Sequence, residues 1–159
     1  MKNTILYILV FFTLTSCVDE KPLVRKHLFY LQVQQKVYPG LHDRVYRIDE
    51  NSLTIQELQS KGHSVGFSYE LIYSKKLSLT EQQMIYKKLL LIRPLEEHYG
   101  HSIIDGMVTK FDYIINGDHG SIVLENTAVE EVNELISTLN SVIRSEKYKA
   151  NHLFSFVDP

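Results

Sequence analysis

His98 and His101 form an H-x-x-H pair inside Glu96-Glu-His-Tyr-Gly-His101, and Asp105 follows four residues later. Imidazoles together with a carboxylate can hold zinc, provided the fold aims them at one point. Gly100 sits between the histidines and argues against one regular helix carrying both. A complete ligand set is not specified by this spacing, and His119 could join only through tertiary folding. The residue types therefore mark His98, His101 and Asp105 as candidate metal ligands, while the segment reads first as a polar connection between a helix and a strand.

Gly62-His-Ser-Val-Gly66 offers a different chemistry, because it matches G-x-S-x-G. In that motif a serine, here Ser64, is exposed on a sharp turn leading from a strand into a helix. The surroundings have the opposite order. A polar stretch, Gln56 to Lys61, precedes the motif and an alternating strand pattern follows it, so a glycine-rich turn accounts for the same residues. Cys17 is the one cysteine. If its thiol is used covalently, neither a disulfide nor a cysteine nucleophile remains for the rest of the chain. No cofactor is expected.

Charge narrows the partners. Seventeen Lys and Arg against 19 Asp and Glu give a net charge of −2, and no basic tail or stripe is present, so a nucleic-acid partner is not expected. Lys75-Lys76 and Lys87-Lys88 read as solvated strand and helix faces. Ten Tyr and seven Phe without Trp suit both cross-strand pairs and contact surfaces. Tyr30, Tyr38 and Tyr99, which lie off the expected core positions, are the contact candidates.

The N-terminus carries the most specific signal. Lys2 precedes the apolar run Ile5 to Leu14, which at 1.5 Å per residue reaches only about 15 Å, half the hydrocarbon thickness of a bilayer. That is the pattern of a cleaved signal peptide. The run ends in Leu14-Thr15-Ser16-Cys17, which resembles the lipobox of bacterial lipoproteins. The resemblance covers these four residues and their leader and implies cleavage before Cys17, which then bears the diacylglycerol and an added acyl chain. Two or three chains hold a protein firmly to a membrane. Val18 stands where many such lipoproteins carry an inner-membrane retention aspartate, so the resemblance implies outer-membrane sorting in the cell envelope. Asp19-Glu20 resembles the acidic signal some lipoproteins use for surface display, which leaves periplasmic and surface orientations both open. The chain thus divides into a signal peptide (1–16), a lipidated cysteine with a tether (17–26), and one domain (27–159).

Hydrophobic periodicity supplies the elements. Phe29, Leu31 and Val33 alternate with Tyr30, Gln32 and Gln34, predicting a strand that Tyr38-Pro39-Gly40 ends. Arg44 to Ile48 predicts a second strand, stopped by Asp49-Glu-Asn-Ser52. Leu53 to Gln59 stays open between strand and short helix. Phe67, Tyr69, Leu71 and Tyr73 predict a strand whose aromatic face points to the core. Ser78-Leu-Thr-Glu81 has the pattern of a capping box, and Thr80-x-x-Gln83 offers a second register. Either opens a helix to Ile92 that turns Ile85, Leu89 and Ile92 inward, with Arg93-Pro94 as the stop. Met107 to Ile115 predicts a strand, and Asn116-Gly-Asp-His-Gly120 a hairpin turn into Ser121 to Leu124. Thr127-Ala-Val-Glu130 predicts a further capping box and a helix over 127–144, its stripe running through Val129, Val132, Leu135, Ile136, Leu139, Val142 and Ile143. The order predicts an α+β fold: an antiparallel sheet of about five strands with two helices packed on one face. No repeat is present.

Two functions fit these readings. One is a non-enzymatic binding module, lipid-anchored in the envelope, meeting a protein partner as an accessory subunit or an immunity-type inhibitor. The other is a small envelope hydrolase or metal-binding protein that uses His98 and His101.

Overall fold

A computed structural model describes residues 27–38, 42–60, 67–100 and 106–151. The expected signal peptide and tether, with Cys17, the Gly62–Gly66 motif, His101 and Asp105, lie outside the described residues. The α+β class holds, with a larger and less uniform sheet than predicted. Seven strands lie in the order β4-β3-β2-β1-β6-β7-β5: β1 Phe29–Tyr38, β2 His42–Asp49, β3 Ser52–Ser60, β4 Phe67–Lys76, β5 His98–Gly100, β6 Gly106–Ile115 and β7 Asp118–Glu125. The sheet is mixed rather than antiparallel, because β5 pairs in parallel with β7, His98 against Val123 and Gly100 against Glu125. Among the described residues the remaining elements are helices α1, Leu79–Ile92, and α2, Glu130–Val142, and a 3-10 turn at Glu146–Tyr148.

The strands form where alternation and turn chemistry agree. The Asp49 carboxylate accepts from the backbone N–H of Asn51 (2.6 Å) and Ser52 (2.7 Å), an Asx turn that reverses β2 into β3. Leu53–Gln59 is therefore strand, with Leu53 and Ile55 fully buried. Between β6 and β7 the reversal needs only Asn116 and Gly117, both at positive φ (53° and 96°). These are the left-handed positions of a tight hairpin, so β7 starts at Asp118, earlier than predicted.

One face of the sheet carries the core. Phe29, Leu31 and Val33 of β1 join Tyr46 and Ile48 of β2, Leu53 and Ile55 of β3, Phe111, Tyr113 and Ile115 of β6, and Ile122 and Leu124 of β7. Both helices close over this face. α1 contributes Ile85, Leu89 and Ile92, and α2 contributes Val132, Leu135, Ile136, Leu139 and Val142, as their spacing predicted; Tyr86 of α1 is buried as well.

The helix starts differ from each other. Ser78 caps α1 with a complete capping box, its hydroxyl accepting from Glu81 N–H while the Glu81 carboxylate accepts from Ser78 N–H. α2 starts at Glu130, not Thr127. Val129 is its N-cap and makes no side-chain cap bond. The cause lies one residue upstream of the predicted box. Asn126 is left-handed (φ 49°) and its side-chain oxygen accepts from Met107 N–H at 2.7 Å, which ties residue 126 to β6 and leaves 127–129 outside the helix. Glu130 and Glu131 then meet the positive end of the helix dipole directly.

β4 overturns a second expectation. The register slips between Ile55 and Gln56 of β3, which pair with Tyr73 and Leu71 of β4, so Ile72 is an extra residue in a bulge. A bulge reverses which residues face which side. Tyr73 stays on the helix side, packed against the core, whereas Phe67, Tyr69 and Leu71 emerge on the other face. They are 58%, 40% and 60% exposed.

The C-terminal stretch is held by buried amides. Asn140 exchanges two hydrogen bonds with the backbone of Ala150 (2.8 and 2.7 Å), and Gln35 exchanges two with Asn151 (2.8 and 2.9 Å). Tyr46 Oη adds a bond to Lys149 O. These contacts satisfy polar groups that would otherwise be orphaned beneath the sheet.

Candidate functional site

The face of the sheet turned away from both helices is the candidate surface among the described residues. Alternation places Gln34 of β1, Asp43 of β2 and Tyr69 of β4 on it together. Asp43 is almost fully buried. Gln34 Nε2 donates to both of its carboxylate oxygens at 2.9 Å, and Tyr69 Oη donates to Oδ2 at 2.6 Å. The tyrosine must cross β3 to make this contact, so one side chain links the sheet edge to its interior. The ring stays two-fifths exposed while the hydroxyl is withdrawn from water. That withdrawal, followed by the bond to Asp43 and its negative charge, pushes the Tyr69 pKa up to about 12. At neutral pH Tyr69 is a fixed hydrogen-bond donor rather than a base.

A second polar group continues the pattern. Arg47 of β2 donates from Nε to Gln32 on β1 (3.1 Å) and from Nη1 to Gln56 on β3 (2.7 Å), and Tyr30 Oη also donates to Gln32 Oε1 (3.1 Å). Further along, Ser121 of β7 donates to Asp112 of β6 (3.0 Å), which Lys110 neutralises at 2.9 Å. Tyr30, Asp112, Ile114, His119 and Ser121 border a shallow cavity of about 450 Å³ there. The charges of Asp43, Arg47 and Asp112 are engaged by neighbours on this same face. What it offers a partner is hydrogen-bonding ends, tyrosine rings and, at the β4 edge, the uncovered side chains of Phe67 and Leu71.

Of the histidines singled out by the sequence, His98 and His119 lie among the described residues, and they stand apart. His98 lies on β5, more than half exposed, with Nε2 3.9 Å from Glu125 Oε2. His119 is on β7, four residues from Val123, the partner of His98; at strand rise that is about 13 Å along the sheet. Among the described residues no group of three His, Cys, Asp or Glu could hold a metal ion. His101 and Asp105, like Ser64, lie outside the described residues. Of the contact candidates, Tyr30 is on the open face. Tyr99 instead packs against the core, its hydroxyl accepting from Glu96 N–H at 2.8 Å, and the side chain of Tyr38 lies outside the described residues.

The sequence reading missed the Gln34–Asp43–Tyr69 cluster because it assigned Tyr69 to the core. No local signal marked the bulge: Leu71-Ile72-Tyr73 places three apolar residues in succession, but so does Ile122-Val123-Leu124 of β7, whose ladder to β6 has no register shift. Compared with known proteins, the chain matches no protein-family model, and no curated protein matches it.

Proposed function

We propose that this chain is a lipid-anchored envelope lipoprotein, fixed at Cys17, whose folded part is a non-enzymatic binding module for a protein partner. The observation that carries the binding reading is the helix-free sheet face, with Phe67, Tyr69 and Leu71 uncovered along β4. β4 is also an edge of the sheet, so over residues 67–71 its outward backbone N–H and C=O groups can pair with an extended segment of a partner. Side chains of that segment would lie over Phe67 and Leu71. The bulge at Ile72 ends this pairing edge. The anchor reading rests on Leu14-Thr15-Ser16-Cys17 and its leader, and the outer membrane is the proposed location.

The two readings have separate tests. For the anchor, Cys17→Ala should lose incorporation of a fatty-acid analogue and leave the membrane fraction; a variant that keeps the label overturns it. For binding, the acylated protein is recovered from detergent-solubilised membranes beside a Phe67→Ser/Leu71→Ser variant. A stoichiometric partner retained by the parent and lost by the variant supports the reading. Identical recoveries from both overturn the assignment of the β4 edge.

A further inference from the structure

α1 and α2 lie side by side over the same face of the sheet, yet their outward surfaces differ in kind. The outward positions of α2 include Glu130, Glu134, Ser137 and Ser141, an ordinary solvated face. On α1, steps of 100° per residue place the buried Ile85, Tyr86, Leu89 and Ile92 on one arc. Leu79, Thr80, Gln83, Met84, Lys87, Leu90 and Leu91 occupy the opposite arc, about 140° wide. Leu79, Met84, Leu90 and Leu91 are 39–45% exposed. No carboxylate lies on this arc: Glu81, the one acidic residue of α1, is turned toward Lys75 and Ser78. Lys87 is the single charge within it.

The edges of that arc have fixed neighbours. Tyr86 borders it on one side and stacks face to face on His27, ring centroids 3.9 Å apart and planes within 5°. His27 is the first described residue, so the tether joins the fold at this flank of α1. Lys88 borders the other side and bonds Glu134 of α2 at 2.7 Å. α1 therefore stands between the point where the tether arrives and the acidic outer face of α2. The ten residue steps from Cys17 to His27 span at most about 36 Å. A lipid at Cys17 keeps the domain within that distance of the bilayer, at a high effective concentration.

We propose that the outward arc of α1 is the surface on which this protein rests against a phospholipid bilayer, an inference that builds on the lipid anchor at Cys17. Leu79, Met84, Leu90 and Leu91 enter the boundary between headgroups and acyl chains, and the Lys87 ammonium extends along its stem to the phosphates. The open sheet face, on the opposite side of the sheet from the helices, points away from the membrane toward a partner.

The test uses the full acylated chain in vesicles of phosphatidylethanolamine and phosphatidylglycerol. Met84→Cys and Leu91→Cys each carry a polarity-sensitive fluorophore, with Gln56→Cys on the open face as reference; acylation blocks Cys17 itself. A blue shift and loss of most emission to nitroxide-bearing lipid are expected at positions 84 and 91 but not at 56. Leu90→Glu introduced beside the label at 84 should restore the emission, with an unchanged thermal midpoint showing that the fold is intact. Equal quenching at 56, 84 and 91 would overturn the proposal. So would labels that respond only in native membranes and not in vesicles, an outcome that assigns the arc to a protein. Mass spectrometry of the N-terminal peptide reads the anchor separately. If Cys17 is unacylated the lipoprotein reading fails by that measurement, and chains held through an N-terminal His tag on nickel-chelating lipid still decide whether α1 docks.

Discussion

Lys75 joins three elements at once, and its replacement by methionine tests how they are held. Its Nζ donates to Glu81 Oε1 in the first turn of α1 (2.5 Å) and to the carbonyl of Val142 at the C-terminal end of α2 (3.0 Å). The two charged side chains are only 16% and 24% exposed, so solvent screens the pair less than it would a surface bridge. Hydrogen bonds to charged groups contribute about 1.5–3 kcal/mol each. Glu81 keeps its bonds from Ser78 in the variant, so Lys75→Met should cost about 2–3 kcal/mol in urea unfolding at pH 7, with an unchanged m-value. Burial by itself would raise the Glu81 pKa, but Lys75 and the Ser78 donors outweigh it and hold the carboxyl below its ordinary value. A lowered folded value means that this stabilisation is present above the ordinary pKa and is lost as pH falls through the folded one. Once the pH has fallen through the lowered folded pKa and Glu81 is protonated, mainly the bond to Val142 remains, and the gap between parent and variant should shrink to about 1–1.5 kcal/mol. A variant as stable as the parent at pH 7, or a gap that does not change with pH, refutes this account.

Leu135→Ala removes a fully buried α2 side chain and should cost about 2–5 kcal/mol in the same assay; a loss no larger than that of an exposed substitution would contradict its place in the core. Gly120→Ala would put a Cβ 2.2 Å from Tyr113 Cζ across the β6–β7 ladder, forcing the ring off its bond to Arg93 O, and should lower stability by about 1–3 kcal/mol. Parent-like stability would show that Tyr113 moves aside freely. The Tyr69 pKa near 12 makes the folded chain hold a proton that the unfolded chain loses near pH 10, so stability is intact below pH 10 and declines toward pH 12. Because the ring is two-fifths exposed, the contribution from this group is about 1 kcal/mol after solvent screening. Tyr69→Phe should flatten that decline, and an alkaline profile identical to the parent's would show that the Tyr69 pKa is not raised in the folded chain.

Local chemistry was legible wherever it acts through near neighbours. Ser78 and Glu81 cap α1 across three residues, the left-handed pair Asn116-Gly117 forms the tight hairpin turn, and the spacing from Val132 to Ile143 identifies the buried stripe of α2. What failed depended on distant partners. Thr127 could not start a helix because Asn126 is bound to β6, nineteen residues away at Met107. His98–Gly100 is too short to show a period of its own, and it becomes a strand through the ladder to β7. Phe67, Tyr69 and Leu71 alternate cleanly, but alternation says only that residues share a face; the slip against Ile55–Gln56 decides which face it is. The candidate site inherited that error, since Gln34, Asp43 and Tyr69 come from three strands and have no common signature in sequence.

The order of the strands also has a consequence for how the chain assembles. β1 to β4 form a meander in which each strand pairs with the next, and β6 and β7 form a tight hairpin. The β1–β6 ladder, from Phe29 with Ile115 to Tyr38 with Gly106, is the seam that joins them. Closing it brings together the ends of residues 39–105, at a chain entropy cost roughly 3 kcal/mol above that of a tight turn. The meander is made first when the chain is synthesised from its N-terminus, and until α1 and then α2 pack on it the apolar side of β1 to β3 is uncovered. Folding speed should therefore follow the strength of this seam. Substitutions at Val33 or Phe111, which face each other across it, should slow folding more than equally destabilising ones in β3 or β4.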